Sequence, residues 1–311
     1  MTGRGGQVRV WRPAAPVSVG ATLSALRRGG ADPSHRFEFG GTVWRATRTP
    51  DGPVLLHLVT RAADGEIVAT AWGPGAQWAL DGVPELLGER DDPAGFRPLP
   101  EHHRLVAAWR ARPGWRVLRT RAVFESLAAA ALEQRVTGRE AHAAWRTLVR
   151  RYGEPAPGPA EVSGGLMVPP APDAWRRIPS WVWLKAGVDQ ARSGVVLRAA
   201  QVAGRLEQTV DLRPVEAAAR LRTLPGVGVW TAAEVRQRAH GDADAFSFSD
   251  FHVSRNVSWA LTGRVMDDEG CAELIECYRG HRYRVQRLLE LDGAVRPRRG
   301  PRMTLPTHLP R

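Results

Sequence analysis

The sequence predicts an α+β protein: an antiparallel α/β domain over residues 1–100, a mainly α-helical region over 101–291, and a basic tail over 292–311. Three observations predict it. Short alternating apolar runs broken by glycine and proline turns fill the first part. Ala- and Leu-rich segments of helical spacing fill the second. The tail carries five arginines and four prolines with little apolar content, the composition of a disordered segment.

Taken in order, residues 8–11 alternate as a strand, and Ser18 stands where it would cap a helix running to Leu26 and stopped by Gly29-Gly30. Strands follow at 37–39, 42–46, 54–59 and 66–72, joined by turns that contain Gly or Pro. Helical spacing returns at 76–87, and the Asp- and Pro-rich stretch 89–100 reads as an exit linker. Amphipathic helices are then expected at 102–111, 120–133, 138–151, 173–177, 195–208, 214–222, 229–239, 251–261, 270–277 and 280–291. Short Gly/Pro connections between them predict an all-helical domain.

The chain has 44 basic and 32 acidic residues, a formal charge of +12. An excess of this size suits a polyanionic partner, nucleic acid or an anionic membrane surface. A GC-rich genome would also inflate arginine, and Lys185 is the only lysine. Cys271 and Cys277 are the only cysteines, too few for a disulfide framework or a four-thiolate Fe–S or zinc site. No apolar run approaches the ~20 residues of a membrane span, and no signal-like stretch opens the chain. A soluble cytoplasmic protein, nucleoid-associated and monomeric, without an Fe–S cluster and without a membrane partner, is the expectation.

The most informative stretch is Leu221-Arg222-Thr223-Leu224-Pro225-Gly226-Val227-Gly228-Val229-Trp230-Thr231. One helix ends near Arg222, the glycines permit a tight hairpin with positive φ and close backbone approach, and a second helix starts at Val229. Amides of Gly226, Val227 and Gly228 at that helix start suit phosphate without reading base sequence. A plain helix–helix turn is the alternative. Twenty residues after Trp230, Asp250 follows the apolar Phe246-Ser247-Phe248 and precedes a helical pattern. It reads either as an N-cap or as a functional carboxylate.

These residues resemble the helix-hairpin-helix DNA glycosylase superfamily, and most of all its 3-methyladenine glycosylase II branch. The carriers are the Leu-Pro-Gly-Val-Gly hairpin at 224–228, Trp230, Asp250, and the helix-and-loop pattern from Phe124 through Glu133-Gln134-Arg135 to Pro155. The stretch from Val10-Trp11-Arg12-Pro13 onward resembles the TATA-binding-protein-like N-terminal layer of that branch. The resemblance implies two helical subdomains in the helical region, and a monofunctional N-glycosylase that flips and excises alkylated purines from duplex DNA in base excision repair. Asp250 would stabilise the sugar cation, and Trp230, Glu234 and Leu289 would line the base pocket. Gly226, Val227, Gly228, Thr231, Gln134 and Arg135 would contact DNA. The carbonyls of Arg222, Leu224 and Val227 would hold a structural Na+ or K+, no other cofactor being required. Trp230 stands where the superfamily's lyases place their Schiff-base lysine, so strand cleavage is not expected.

Three positions depart from the branch. Glu234 and Leu289 replace pocket aromatics, and Arg135 replaces the apolar wedge. Glu234 reads as a base contact or a solvated helix-face residue, Arg135 as a wedge or a phosphate contact. His252 and His281 lack metal-ligand partners at sensible spacing and read as surface or DNA-facing. A glycosylase for another lesion and a non-catalytic DNA-damage binder stay open as alternatives.

Overall fold

The computed structural model describes residues 5–297. Most of the predicted basic tail, residues 298–311, lies outside the described residues; within them Ala294 is buried.

Five strands, β1 (Gln7–Trp11), β2 (His35–Phe37), β3 (Val43–Thr49), β4 (Gly52–Arg61) and β5 (Glu66–Trp72), form one antiparallel sheet in the order β1-β5-β4-β3-β2. The β3–β4 turn follows from its residues. Thr49 Oγ accepts the Asp51 N–H at 3.2 Å and donates to Gly52 O at 2.9 Å, and Gly52 takes φ 124, which its missing Cβ permits. Strand periodicity then divides the side chains. Val43, Val54, Leu56 and Leu58 enter a core shared with the helices Val19–Leu23 and Ala76–Asp81. Trp44, Ala46 and Leu55 point the other way, onto Ala156, Leu166 and Val168. The last of these belongs to a two-stranded ribbon, Glu154–Pro155 with Met167–Val168, hidden in a stretch read as loop. The strand expected at 37–39 ends at Phe37 instead, since Gly40 and Gly41 turn the chain with positive φ and leave Phe39 fully exposed. Ser18 stands at the expected N-cap, yet its hydroxyl makes no capping bond.

The helical part has two apolar cores. One lies among the helices Val123–Glu133, Gly138–Tyr152, Gln190–Gln201, Pro214–Arg222 and Val229–Val235. The second gathers Phe96, Leu105, Trp115 and Phe246 with the helices Val253–Thr262 and Arg282–Leu291. The expected 195–208 helix is two helices, Gln190–Gln201 and Ala203–Glu207, parted at Val202. Helix Ser180–Lys185 went unpredicted. The 89–100 segment lacks helix and strand, but it is no free linker. Phe96 is 1 % exposed within the second core, and the buried Arg284 donates to Asp91 at 3.0 Å.

A buried ion pair joins sheet to helices. Arg45 on β3 donates to Glu125 at 3.1 Å and the Thr47 hydroxyl donates to the same carboxylate at 2.5 Å. Burial pushes the Glu125 carboxyl up, but Arg45 and Thr47 outweigh it and hold the group below the ordinary carboxylate range. Among the described residues no helix is long and apolar enough to cross a membrane.

Candidate active site

The hairpin Leu224–Gly228 sits between the helices Pro214–Arg222 and Val229–Val235, the second of which continues as one π turn to His240. Gly226 has φ 90, and a Cβ there would stand 2.5 Å from Val195 Cγ2, so glycine is required on both counts. Gly228 differs from expectation. Its backbone is extended, at φ −88 and ψ −171, and a Cβ would meet nothing within 4 Å. Its smallness keeps an outer surface open. Neither glycine N–H finds an acceptor among the described residues, and no side chain caps the second helix. Unsatisfied amides at a helix start form a site for an anion.

Side chains brace the hairpin from behind. Gln134 Nε2 donates to Gly226 O at 3.0 Å and to Thr231 Oγ at 2.8 Å, and Arg198 Nε donates to Pro225 O at 3.1 Å. Val227 and Thr231 are buried, so neither offers its side chain to a partner. Arg135, next to Gln134, is exposed with φ 55 in a turn where a non-glycine residue is strained. Leu224 O already accepts the Val227 N–H at 3.0 Å. Among the described residues no three His, Cys, Asp or Glu side chains group as a metal site.

Asp250 comes from the second core and meets this hairpin. Its Oδ1 accepts the N–H groups of His252 at 2.7 Å and Val253 at 3.0 Å, and its Oδ2 accepts Trp230 Nε1–H at 3.0 Å. Asp250 therefore bonds the start of the helix Val253–Thr262, two residues ahead of its N-cap His252, while the half-buried Trp230 ties it to the hairpin. Ser249 precedes it with φ 67, a left-handed conformation that costs about 1–3 kcal/mol and persists where surrounding contacts over-determine it.

No protein-family model matches the sequence, and a comparison with curated proteins finds no relative. Solved structures do match. A 3-methyladenine DNA-glycosylase from Archaeoglobus fulgidus superposes with TM-score 0.73 at 18% identity, covering 92% of this chain and 98% of that one. An 8-oxoguanine glycosylase/lyase from Clostridium acetobutylicum, in complex with double-stranded DNA, gives TM-score 0.65 at 11% identity, covering 92% and 97%. The chain has the helix-hairpin-helix DNA glycosylase fold.

Within this glycosylase fold the two departures proposed for the base pocket lie deeper than expected. Glu234 is not a solvated helix-face residue. It is 7 % exposed, accepting Ser247 Oγ–H at 2.6 Å and Arg238 Nη1–H at 2.7 Å, because that helix face packs on the loop before Asp250. Burial, with the Glu133 carboxylate adding to it, pushes Glu234 above the ordinary carboxyl range despite Arg238. Leu289 is 2 % exposed within the second core. His252 is exposed beside Asp250, whereas His281 is half-buried and accepts from Arg284 Nε at 3.2 Å, away from a surface role. Lys185 is exposed on its short helix.

Sequence reasoning missed Arg198 and Ser247, whose partners lie on other elements, and Arg238, which pairs with Glu234 one turn back on its own helix and reaches Ala25 O on another. It also missed Phe251, 69 % exposed beside Asp250 with the Arg255 guanidinium 5.0 Å from its ring. Phe251 did carry a signal: a large apolar residue adjoining the candidate carboxylate at a helix start.

Proposed function

We propose that the protein is a monofunctional N-glycosylase of double-stranded DNA that flips alkylated purines of the 3-methyladenine type and hydrolyses their N-glycosidic bond. The observation that carries this reading is the Trp230–Asp250 hydrogen bond, which sets a carboxylate beside a phosphate-type hairpin.

The hairpin amides of Gly226 and Gly228 would take a backbone phosphate, and the +12 charge would draw duplex in by counterion release. The carbonyls of Arg222, Leu224 and Val227 would hold a monovalent cation, which supplies positive charge toward that phosphate. Arg135, exposed at its turn, would fill the gap left by an extruded nucleotide. When the C1′–N bond breaks, its electron pair leaves with the base, neutralising an alkylated purine cation, and C1′ becomes oxocarbenium-like. The Asp250 carboxylate is held by three N–H donors before reaction, with Oδ2 accepting only one of them. A lone pair there would face the developing cation at no cost of reorganisation. Water then adds to C1′ and releases its proton to Asp250 or to solvent. By the family resemblance Trp230 would take the position of an imine-forming lysine, so the reading includes no strand cleavage.

The test is a single-turnover assay on duplexes containing 3-methyladenine and 7-methylguanine. Base release that falls by orders of magnitude to a small residual rate in Asp250→Asn, with binding retained, supports the proposal. Binding with no release from any lesion would establish a damage binder, and a borohydride-trapped adduct lost in Lys185→Ala would establish a lyase.

A further inference from the structure

We propose that Ser247 and Glu234 are positioning residues for Asp250: a buried polar network grips the loop that carries the carboxylate, and neither residue contacts the base. The inference rests on the glycosylase reading above. Ser247 is wholly buried. Its hydroxyl donates to Glu234 Oε1 at 2.6 Å and accepts Gln237 Nε2–H at 2.8 Å and Gln286 Nε2–H at 3.1 Å. One donor and two acceptor positions are all that a hydroxyl has, so its capacity is filled. The Ser247 N–H donates to Gln286 Oε1 at 3.0 Å, and Gln237 Nε2 also donates to Ala245 O at 2.7 Å.

Two helices from different cores thus hold one residue, the hairpin helix through Glu234 and Gln237 and the C-terminal helix through Gln286. The far end of the network is anchored as well. Arg238, paired with Glu234, donates through Nε to Ala25 O at 3.1 Å in the N-terminal domain. Both Glu234 oxygens are engaged by protein donors, which leaves the carboxylate committed to the loop.

The link from Ser247 to Asp250 is short. Asp250 N–H donates to Ser247 O at 3.3 Å, closing a turn whose third residue is the strained Ser249. Ser249 N–H is itself tied to Asp268 at 2.8 Å. A strained turn held at both ends presents its carboxylate in one direction, and freeing the Ser247 end lets the strain relax.

Ser247→Ala tests this. Single-turnover base release is expected to fall about tenfold or more, by the same factor for every lesion released, while affinity for a duplex carrying a tetrahydrofuran abasic analogue stays unchanged. In an Asp250→Asn background the substitution should cost nothing further, because its effect passes through that carboxylate. A readout independent of activity is the Trp230 indole N–H cross-peak, assigned by its loss in Trp230→Phe, which should shift in Ser247→Ala. Glu234→Gln, similar in shape, is the second variant should the first fail to fold, with the same shift and a smaller loss of rate. A loss confined to some lesions, additivity with Asp250→Asn, or an unmoved cross-peak would overturn the proposal. If the native protein releases no base from any lesion, the glycosylase reading fails and the cross-peak alone decides the positioning role.

Discussion

Trp230 donates its indole N–H to Asp250 Oδ2 at 3.0 Å, joining a helix of one helical core to a loop of the other. The bond fixes the angle of the carboxylate, and Phe in place of Trp keeps a ring while deleting the donor. A hydrogen bond to a charged group contributes about 1.5–3 kcal/mol. Trp230→Phe is therefore expected to slow base release about 10- to 150-fold and to leave duplex affinity nearly unchanged. Single-turnover rates beside equilibrium binding decide it; equal losses in both would show that Trp230 serves binding instead.

How much of this was legible in the sequence follows from how local each feature is. The helix at 214–222, the start of the next at Val229 and the strand at 66–72 stand where periodicity and Gly/Pro punctuation put them. The helix start near Asp250 was legible too, since the bonds of its Oδ1 reach only to His252 and Val253. Glu234 was not. Its burial depends on Ser247 folding back and on Gln286 arriving from 39 residues further along, and no window around Glu234 contains either. Phe96 was read within a linker for the same reason: its surroundings, Tyr278 and Trp109, come from elsewhere in the chain.

The two hairpin glycines should separate by experiment. Gly226→Ala places a Cβ against Val195 in a backbone of φ 90, and a cost of about 1–3 kcal/mol is expected in urea unfolding. Gly228→Val meets open space in an extended backbone, so stability should change by less than about 0.5 kcal/mol. Its effect should fall on binding, equally for lesion and undamaged duplex, because phosphate contacts read no sequence. A lesion-selective loss in anisotropy titrations would contradict a phosphate role.

The Arg45–Glu125 pair predicts a different pattern. Arg45→Met leaves the mostly buried Glu125 carboxylate beside a thioether, and removing one partner of a fully buried pair costs about 3–5 kcal/mol, an upper bound here. Replacing both, as Arg45→Met with Glu125→Leu, removes the uncompensated charge and should recover most of that loss. Urea midpoints of the two singles and the double measure it. A double variant as unstable as the sum of the singles would mean that Thr47 and packing, not charge, set the cost.

His240 makes stability depend on pH. Burial pushes its imidazole down to about 4, and its Nδ1 has no hydrogen-bond partner among the described residues. In the unfolded chain the ring titrates near 6.5. Between those values the unfolded state binds a proton that the folded state refuses, so the contribution is full above pH 6.5 and is lost as pH falls toward 4. Its size is at most about 3 kcal/mol, of which about 2 kcal/mol is gone by pH 5. His57, His102, His142 and His281 are also lowered by burial and add slope of the same sign. His240→Gln should therefore flatten the fall in urea-unfolding free energy between pH 7 and pH 5 without abolishing it. An unchanged slope would mean that the folded protein protonates His240 as readily as the unfolded chain does.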